Sequence, residues 1–426
     1  MNRYFPQASQ RHHRRAALKM RTFARLELAG WRQFAEVSLD LNQQVTVLTG
    51  QNGCGKTTIL NSLARHFGWN IQFVSTPFWG KKKKERFWSD VYHSREDELE
   101  PEAGTKIVGT IEYGDGTKCT LRTNSQVGAQ YKLQYENQQE VVGLHIPSHR
   151  PTASYHKVEN IPTDPKTGHQ HYQAFQQLLF QTYGSERSQN PGIAQKESII
   201  SLAVFGYGND AVAANPEYRE IFEGFQSVLV QVLPPELGFK KLEVRMPDVV
   251  LVTETGEFAL EAMSGGINAL FGVAWQIHLY GAGKDGCTVT FDEPENHLHP
   301  SMQRSLLPSL ARAFPKYRFV VATHSPFIVS SFPESAVYGL IYDNEKRVLS
   351  QRLEARDLSG TPNRVLREIL DVPSNLPIWV EDQIRRLLQS VADQPPEERA
   401  RVLFALLKEL GLTDAISEFQ GGGYGA

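Results

Sequence analysis

The sequence predicts an α/β fold with a mixed central sheet, and three observations predict it. A glycine-rich run, residues 50–57, lies between a short apolar strand at 45–48 and a helical stretch at 57–67. Further on, a strand at 288–291, a helix at 301–314 and a strand at 317–322 follow one another, and a β-α-β run implies parallel pairing. Between these two segments, short alternating runs at 106–113, 119–123 and 131–135 are separated by turn residues, as in an antiparallel sheet.

Composition narrows the classes. The chain has 426 residues, 40% hydrophobic and 22% charged, which is ordinary for a globular protein and allows one large α/β unit with insertions or two to three domains. No apolar run approaches the roughly 18 residues that span a bilayer, so no membrane contact is expected. Three scattered cysteines, Cys54, Cys119 and Cys287, do not make a disulfide framework or a zinc site. Without a secretory pattern they fit a reducing cytoplasm. A net charge of −2 excludes a generally basic nucleic-acid binder, so DNA or RNA would be met through local patches.

The elements read in order as follows. Residues 1–19 carry five basic and no acidic side chains. They read as a disordered basic tail, with a nucleic-acid-binding arm as the sharper alternative. Residues 23–28 and 35–41 alternate around a turn at Gly30-Trp31-Arg32-Gln33. A strand is expected at 143–148, and helices at about 172–183 and 217–233. Strands follow at 242–246 and 249–252, then a helix at 265–280, apolar enough to be buried. From Val365 the chain is mostly helical. The expected domains are a basic tail (1–19), an N-terminal lobe with the glycine loop and antiparallel sheet (20–150), an inserted, mainly helical lobe (151–262), a C-terminal lobe (263–345) and a short C-terminal helical tail (346–426).

Four segments carry chemistry. Gly50-Gln51-Asn52-Gly53-Cys54-Gly55-Lys56-Thr57 matches G-x-x-x-x-G-K-[ST] completely. Glycines let backbone N–H groups converge on phosphate oxygens, and the helix N-terminus adds positive potential. ATP is expected against Gly50, Asn52, Gly53, Cys54, Gly55, Lys56, Thr57 and Thr58, with Lys56 on the β and γ phosphates and Thr57 on Mg²⁺. The strand ending Phe291-Asp292-Glu293 supplies Asp292 for the Mg²⁺ shell and Glu293 to polarise an attacking water. Met263-Ser264-Gly265-Gly266 precedes a long helix and reads as an anion site or as a simple turn with Ser264 as N-cap. His324, at the end of an apolar strand, reads as a satisfied core residue or as a group touching the γ phosphate.

Taken in this order, the four segments resemble the heads of ABC-type ATPases over residues 21–330. That resemblance implies a homodimer, or a higher homo-oligomer, with ATP sandwiched between one subunit's Lys56 loop and the other's Ser264, Gly265 and Gly266. Glu293, His324 and Lys56 would then be the catalytic residues. The opening Leu26-Glu27-Leu28-Ala29-Gly30-Trp31-Arg32-Gln33-Phe34 and the phrase Asp292-Glu293-Pro294-Glu295-Asn296-His297-Leu298-His299-Pro300 are similar to the RecF, SMC and OLD branch, as is Thr323-His324-Ser325-Pro326. Ile267-Asn268 departs from it, no heptad arm is present, and Ser148 and His149 hold roughly the place of a lid residue, with Arg150 beside them reading equally as structural.

Residues 378–382 give a faint echo of a TOPRIM nuclease element without the Asp-x-Asp that should follow, so Glu381 reads as a helix-surface residue. A missing nuclease points to a separate effector, nuclease or toxin, as in the antiphage ATPases of Septu, PARIS and retron-associated systems. The alternatives are a RecF-like repair ATPase that binds DNA directly, a non-hydrolysing ATP-bound scaffold that sequesters a toxin, and, weakest, a transporter subunit. Lys81-Lys82-Lys83-Lys84, flanked by Trp79 and Phe87-Trp88, reads as a solvated loop or a nucleic-acid contact. The histidines at 145, 149, 156, 169 and 171 lack the partnering acids or cysteines of a metal site.

Overall fold

A computed structural model describes residues 21–79, 85–89, 104–124, 126–150, 154–182, 190–354, 362, 364–365 and 377–410. The basic tail at 1–19 and the lysine run at 81–84 lie outside the described residues. The chain divides into two compact units, one up to Val365 and one after it.

The first unit opens with β1 (Phe23–Trp31), β2 (Phe34–Asp40) and β3 (Val45–Gly50), then α1 (Lys56–Ala64). Short strands β4 (Phe73–Val74), β5 (Thr76–Trp79) and β6 (Glu85–Trp88) precede the longer β7 (Thr105–Tyr113) and β8 (Lys118–Asn124). Four more follow: β9 (Gln126–Val127), β10 (Gln130–Tyr131), β11 (Gln134–Glu136) and β12 (Gly143–Ile146). A helical stretch comes next, with α2 (Gly168–Thr182), α3 (Gly192–Tyr207) and α4 (Pro216–Val232). It is completed by a small sheet of β13 (Phe239–Arg245), β14 (Asp248–Thr253) and β15 (Glu257–Ala259). The remainder is α5 (Gly265–Gly281), β16 (Thr288–Asp292), α6 (Pro300–Ala313), β17 (Arg318–Ala322), α7 (Pro326–Val329), β18 (Ala336–Tyr342) and β19 (Val348–Leu353).

Eleven strands form one mixed sheet in the order β11-β8-β7-β1-β2-β19-β18-β3-β17-β16-β12. Its β18-β3-β17-β16-β12 side is parallel, and its β11-β8-β7-β1-β2 side is antiparallel. The burial patterns follow from this. Every residue of β3 and β16 is buried, as a parallel strand covered on both faces requires, whereas β1 and β2 alternate between buried and exposed. The antiparallel strands are thus the continuation of the sheet that carries the glycine loop. Leu26, Leu28, Trp31, Phe34, Leu48, Ile59, Ile111 and Leu340 belong to one hydrophobic cluster that joins its two sides.

One expectation needs correcting. The helical tail expected from residue 346 begins instead with β19, which pairs antiparallel with β18 and parallel with β2 and so joins the two sides of the sheet. Residues 192–207, inside the stretch expected to be a mainly helical lobe but not picked out as a helix of their own, form α3. That helix buries Ala194, Ile199, Ile200 and Leu202 but also Lys196, Ser198 and Ser201, so it lacks a polar stripe to read.

In the second unit, α8 (Ile378–Ser390) and α9 (Pro396–Glu409) form a helical pair around Val380, Ile384 and Leu407. Glu381 falls in the first turn of α8.

Candidate functional site

The site gathers at the C-terminal ends of the neighbouring parallel strands β3, β17 and β16. Strand β3 runs into the glycine loop, and Gly50, Gly53 and Gly55 all adopt positive φ, at 142°, 84° and 98°. These are conformations that a Cβ makes costly. At Gly55 a Cβ would also come within 2.5 Å of Gln33 Nε2 and Phe34 Cζ, and at Gly50 within 2.5 Å of the Leu340 carbonyl oxygen. The loop is therefore wedged between the β1–β2 hairpin and β18, and Gln33 donates to the Gly53 carbonyl at 3.3 Å.

Lys56 opens α1 and is 5% exposed. Its Nζ donates to the carbonyls of Gly50 and Gln51 at 2.9 and 3.0 Å and stands 3.4 Å from His324 Nδ1. Burial lowers the pKa of Lys56 and that of His324, the latter also through the neighbouring ammonium. The Thr57 hydroxyl lies 3.2 and 3.0 Å from the two carboxylate oxygens of Asp292. Burial pushes Asp292 up to about 6, against the pull of the Thr57 hydrogen bond. Asn52, Gly53 and Thr57 are exposed and Thr58 is half-buried, so the loop presents a polar rim. Cys54 is the exception within the motif, because its side chain packs in the core and burial raises its thiol pKa.

Glu293 follows β16 at φ 45°, and its N–H is tied to the Ala322 carbonyl at 2.9 Å. Asn296 Nδ2 donates to Glu293 Oε2 at 3.1 Å and to the Ser148 carbonyl at 3.2 Å, and Arg150 donates to the Glu293 carbonyl at 2.6 Å. Ser148 and Arg150 therefore lie against the acidic turn. Asn296 and Glu295 were not singled out by sequence reading. Their only signal was membership of an unusually polar run directly after a buried strand.

Lys56, Thr57, Asp292 and His324 thus come together from three separate stretches of chain. Ser264, Gly265 and Gly266 have other neighbours. Ser264 occupies the N-cap position of α5, where its carbonyl accepts from the Asn268 N–H at 2.9 Å but its side chain makes no capping hydrogen bond, and it is exposed. A Cβ on Gly266 would meet the His297 carbonyl oxygen and Met302 Sδ at 3.1 Å, and one on Gly265 would approach His297 Cβ at 3.9 Å. The histidines at 145, 169 and 171 make separate contacts: His145 with Thr290, His169 with Lys284, and the ring of His171 with that of Tyr218.

A glycine cradle under a helix N-terminus, with a buried lysine, fits a polyphosphate. A hydroxyl and a carboxylate are the hard oxygen donors that Mg²⁺ takes together with phosphates and water. Fold and site together define the class, an ATP-binding protein of the phosphate-loop kind. Residues 25–187 match the family model described as AAA domain. Residues 176–330 match one described as AAA domain, putative AbiEii toxin, Type IV TA system. The chain is 22% identical over 483 residues to the Retron Ec83 probable ATPase of Escherichia coli, covering 96% of this chain and 87% of that protein. Among solved structures, the SMC head domain from Thermotoga maritima aligns over 78% of this chain and 99% of its own, at 13% identity and a TM-score of 0.38. An Smc head domain derived from Pyrococcus furiosus, bound to the C-terminal domain of ScpA, aligns over 79% and 97%, at 12% identity and a TM-score of 0.42. No helix among the described residues is long and apolar enough to cross a membrane.

Proposed function

We propose that this protein is an ABC-type ATPase that dimerises around ATP and uses binding and hydrolysis to control a separate effector, a nuclease or toxin, in cytoplasmic antiphage defence. The observation that carries the reading is the convergence of Lys56, Thr57, Asp292 and His324 from three separate stretches of chain. Lys56 would leave its loop carbonyls for the β and γ phosphates. Thr57 and Asp292 would hold Mg²⁺, which neutralises phosphate charge when bound. Glu293, aimed by Asn296, would orient the attacking water, and His324 would contact the γ phosphate. Such a site works by placing charge and atoms rather than by covalent chemistry. Ser264 and Gly265 are exposed and Gly266 is half-buried, so the segment is open to serve the nucleotide of a second copy across the dimer. The name of the Escherichia coli retron relative supports the defence role.

Steady-state ATP turnover tests the reading, with Lys56→Ala and Glu293→Gln as variants and each assayed with and without double-stranded DNA. Turnover should fall in both variants by about 100-fold or more, as for removal of a charge-placing group. Glu293→Gln should retain bound ATP. Stimulation by DNA would favour direct nucleic-acid binding over an effector that waits for another trigger. Unchanged turnover in both variants would refute the site assignment.

A further inference from the structure

We propose that Glu295 is a positioning residue, one that fixes the His324 turn against the Asp292–Glu293 turn and so sets where the His324 ring stands relative to Lys56. This deepens the ATPase reading above and rests on it. Glu295 Oε1 accepts from the backbone N–H of His324 at 2.7 Å, and Oε2 accepts from the Thr323 hydroxyl at 2.8 Å. Both are short, charge-assisted contacts of the strong kind.

The same turn is tied on its other sides. Thr323 N–H donates to the Leu48 carbonyl at 3.0 Å, and Ser325 N–H donates to the Thr323 hydroxyl at 2.9 Å. Glu293 N–H reaches back to Ala322 at 2.9 Å. The ends of β3, β16 and β17 are therefore knitted into one rim, and Glu295 is the side chain that crosses from the acidic turn to the histidine turn. The Nδ1 of His324 then stands 3.4 Å from Lys56 Nζ. With both oxygens engaged on the turn, Glu295 acts through His324 and not on the phosphates. Its length suits the task, because an aspartate at the same position is one methylene shorter and an alanine leaves two donors without an acceptor.

The test compares wild type with Glu295→Ala and Glu295→Gln by two readouts. The first is ATP turnover together with ATP affinity. Glu295→Ala should lose kcat by at least about 10-fold while affinity changes by less than about 3-fold, because a misplaced catalytic group affects the transition state selectively. Glu295→Gln keeps an acceptor for the His324 N–H and should stay within about 3-fold of wild type. The second readout is amide hydrogen exchange at His324 without nucleotide. It should speed by about 10-fold or more in Glu295→Ala, as an amide freed from its acceptor does, and return to the wild-type rate in Glu295→Gln. Wild-type turnover in Glu295→Ala would overturn the proposal. So would a Glu295→Gln protein as inactive as Glu295→Ala, because the charge itself would then be the active element. A wild-type chain that never hydrolyses ATP would overturn the functional reading instead, and the exchange rates would still decide whether Glu295 holds the turn.

Discussion

Replacing Gly55 by alanine tests the glycine loop where its geometry is most demanding. Gly55 is the N-cap of α1 at φ 98° and ψ 18°, a left-handed conformation. Forcing alanine there costs about 1–2 kcal/mol in backbone energy alone. The added Cβ would also lie 2.5 Å from Phe34 Cζ, and Phe34 is fully buried in the main hydrophobic cluster. Relieving that overlap adds about 1–3 kcal/mol, the usual cost of overpacking a core. Together these give a loss of about 2–5 kcal/mol. Gly68 provides the control. It sits at φ 84° and ψ 4°, nearly the same backbone geometry, but a Cβ there has nothing within 4 Å. Gly68→Ala should therefore show the backbone cost only, about 1–2 kcal/mol. Urea unfolding at constant slope measures both, and ATP binding to the folded variants should fail for Gly55→Ala and persist for Gly68→Ala. Equal losses in the two variants, or normal ATP binding by Gly55→Ala, would refute the argument that the hairpin wedges the loop.

Three other outcomes are expected. Asn296→Ala removes the amide that holds Glu293 Oε2 and the Ser148 carbonyl. It should lower kcat by about 10-fold or more with ATP affinity little changed, and a matched loss of affinity in binding assays would contradict the positioning role. Lys196→Met should destabilise the fold by about 3 kcal/mol in urea unfolding, because it strips Asp248 and Glu261 of their buried partner; that figure is at the low end for such pairs, since the two carboxylates keep 27% and 15% exposure. Acid sensitivity should come from buried neutral histidines. Burial lowers His66 to about 4 and His145 to about 3. The unfolded chain binds these protons from about pH 6.5 downward, so stability falls as pH drops from 6.5 toward the folded values, by up to roughly 1.4 kcal/mol per pH unit for each. A flat urea midpoint between pH 7 and pH 5 would contradict this.

What could be read from the sequence was local. The strand, glycine loop and helix around Lys56 lie within about twenty residues of one another, and the apolar strand ending in Asp292 shows its chemistry at its own end. The antiparallel strands at 105–124 showed through because β7 and β8 alternate between the core and the outer face of the sheet. Strand β18 did not, since its partner is β3, with Val337 opposite Val47. Only that distant pairing turns a short apolar run into the strand against which the glycine loop is wedged. Helix α3 was hidden because its buried lysine and serines erase the amphipathic period. Glu295 stands in the sequence two residues after Glu293, but two acids so close look alike until one is seen accepting from Thr323 and His324. Ser264 could be read as a simple helix cap, yet it stands exposed with no side-chain cap hydrogen bond.

The most direct test of the central claim is the oligomeric state of the Glu293→Gln protein, measured by sedimentation with and without ATP and Mg²⁺. The expected result is a monomer without nucleotide and a stable dimer with it, the dimer holding ATP and being abolished by Ser264→Arg in the same background. A protein that binds ATP but keeps one sedimentation coefficient under all three conditions would contradict it.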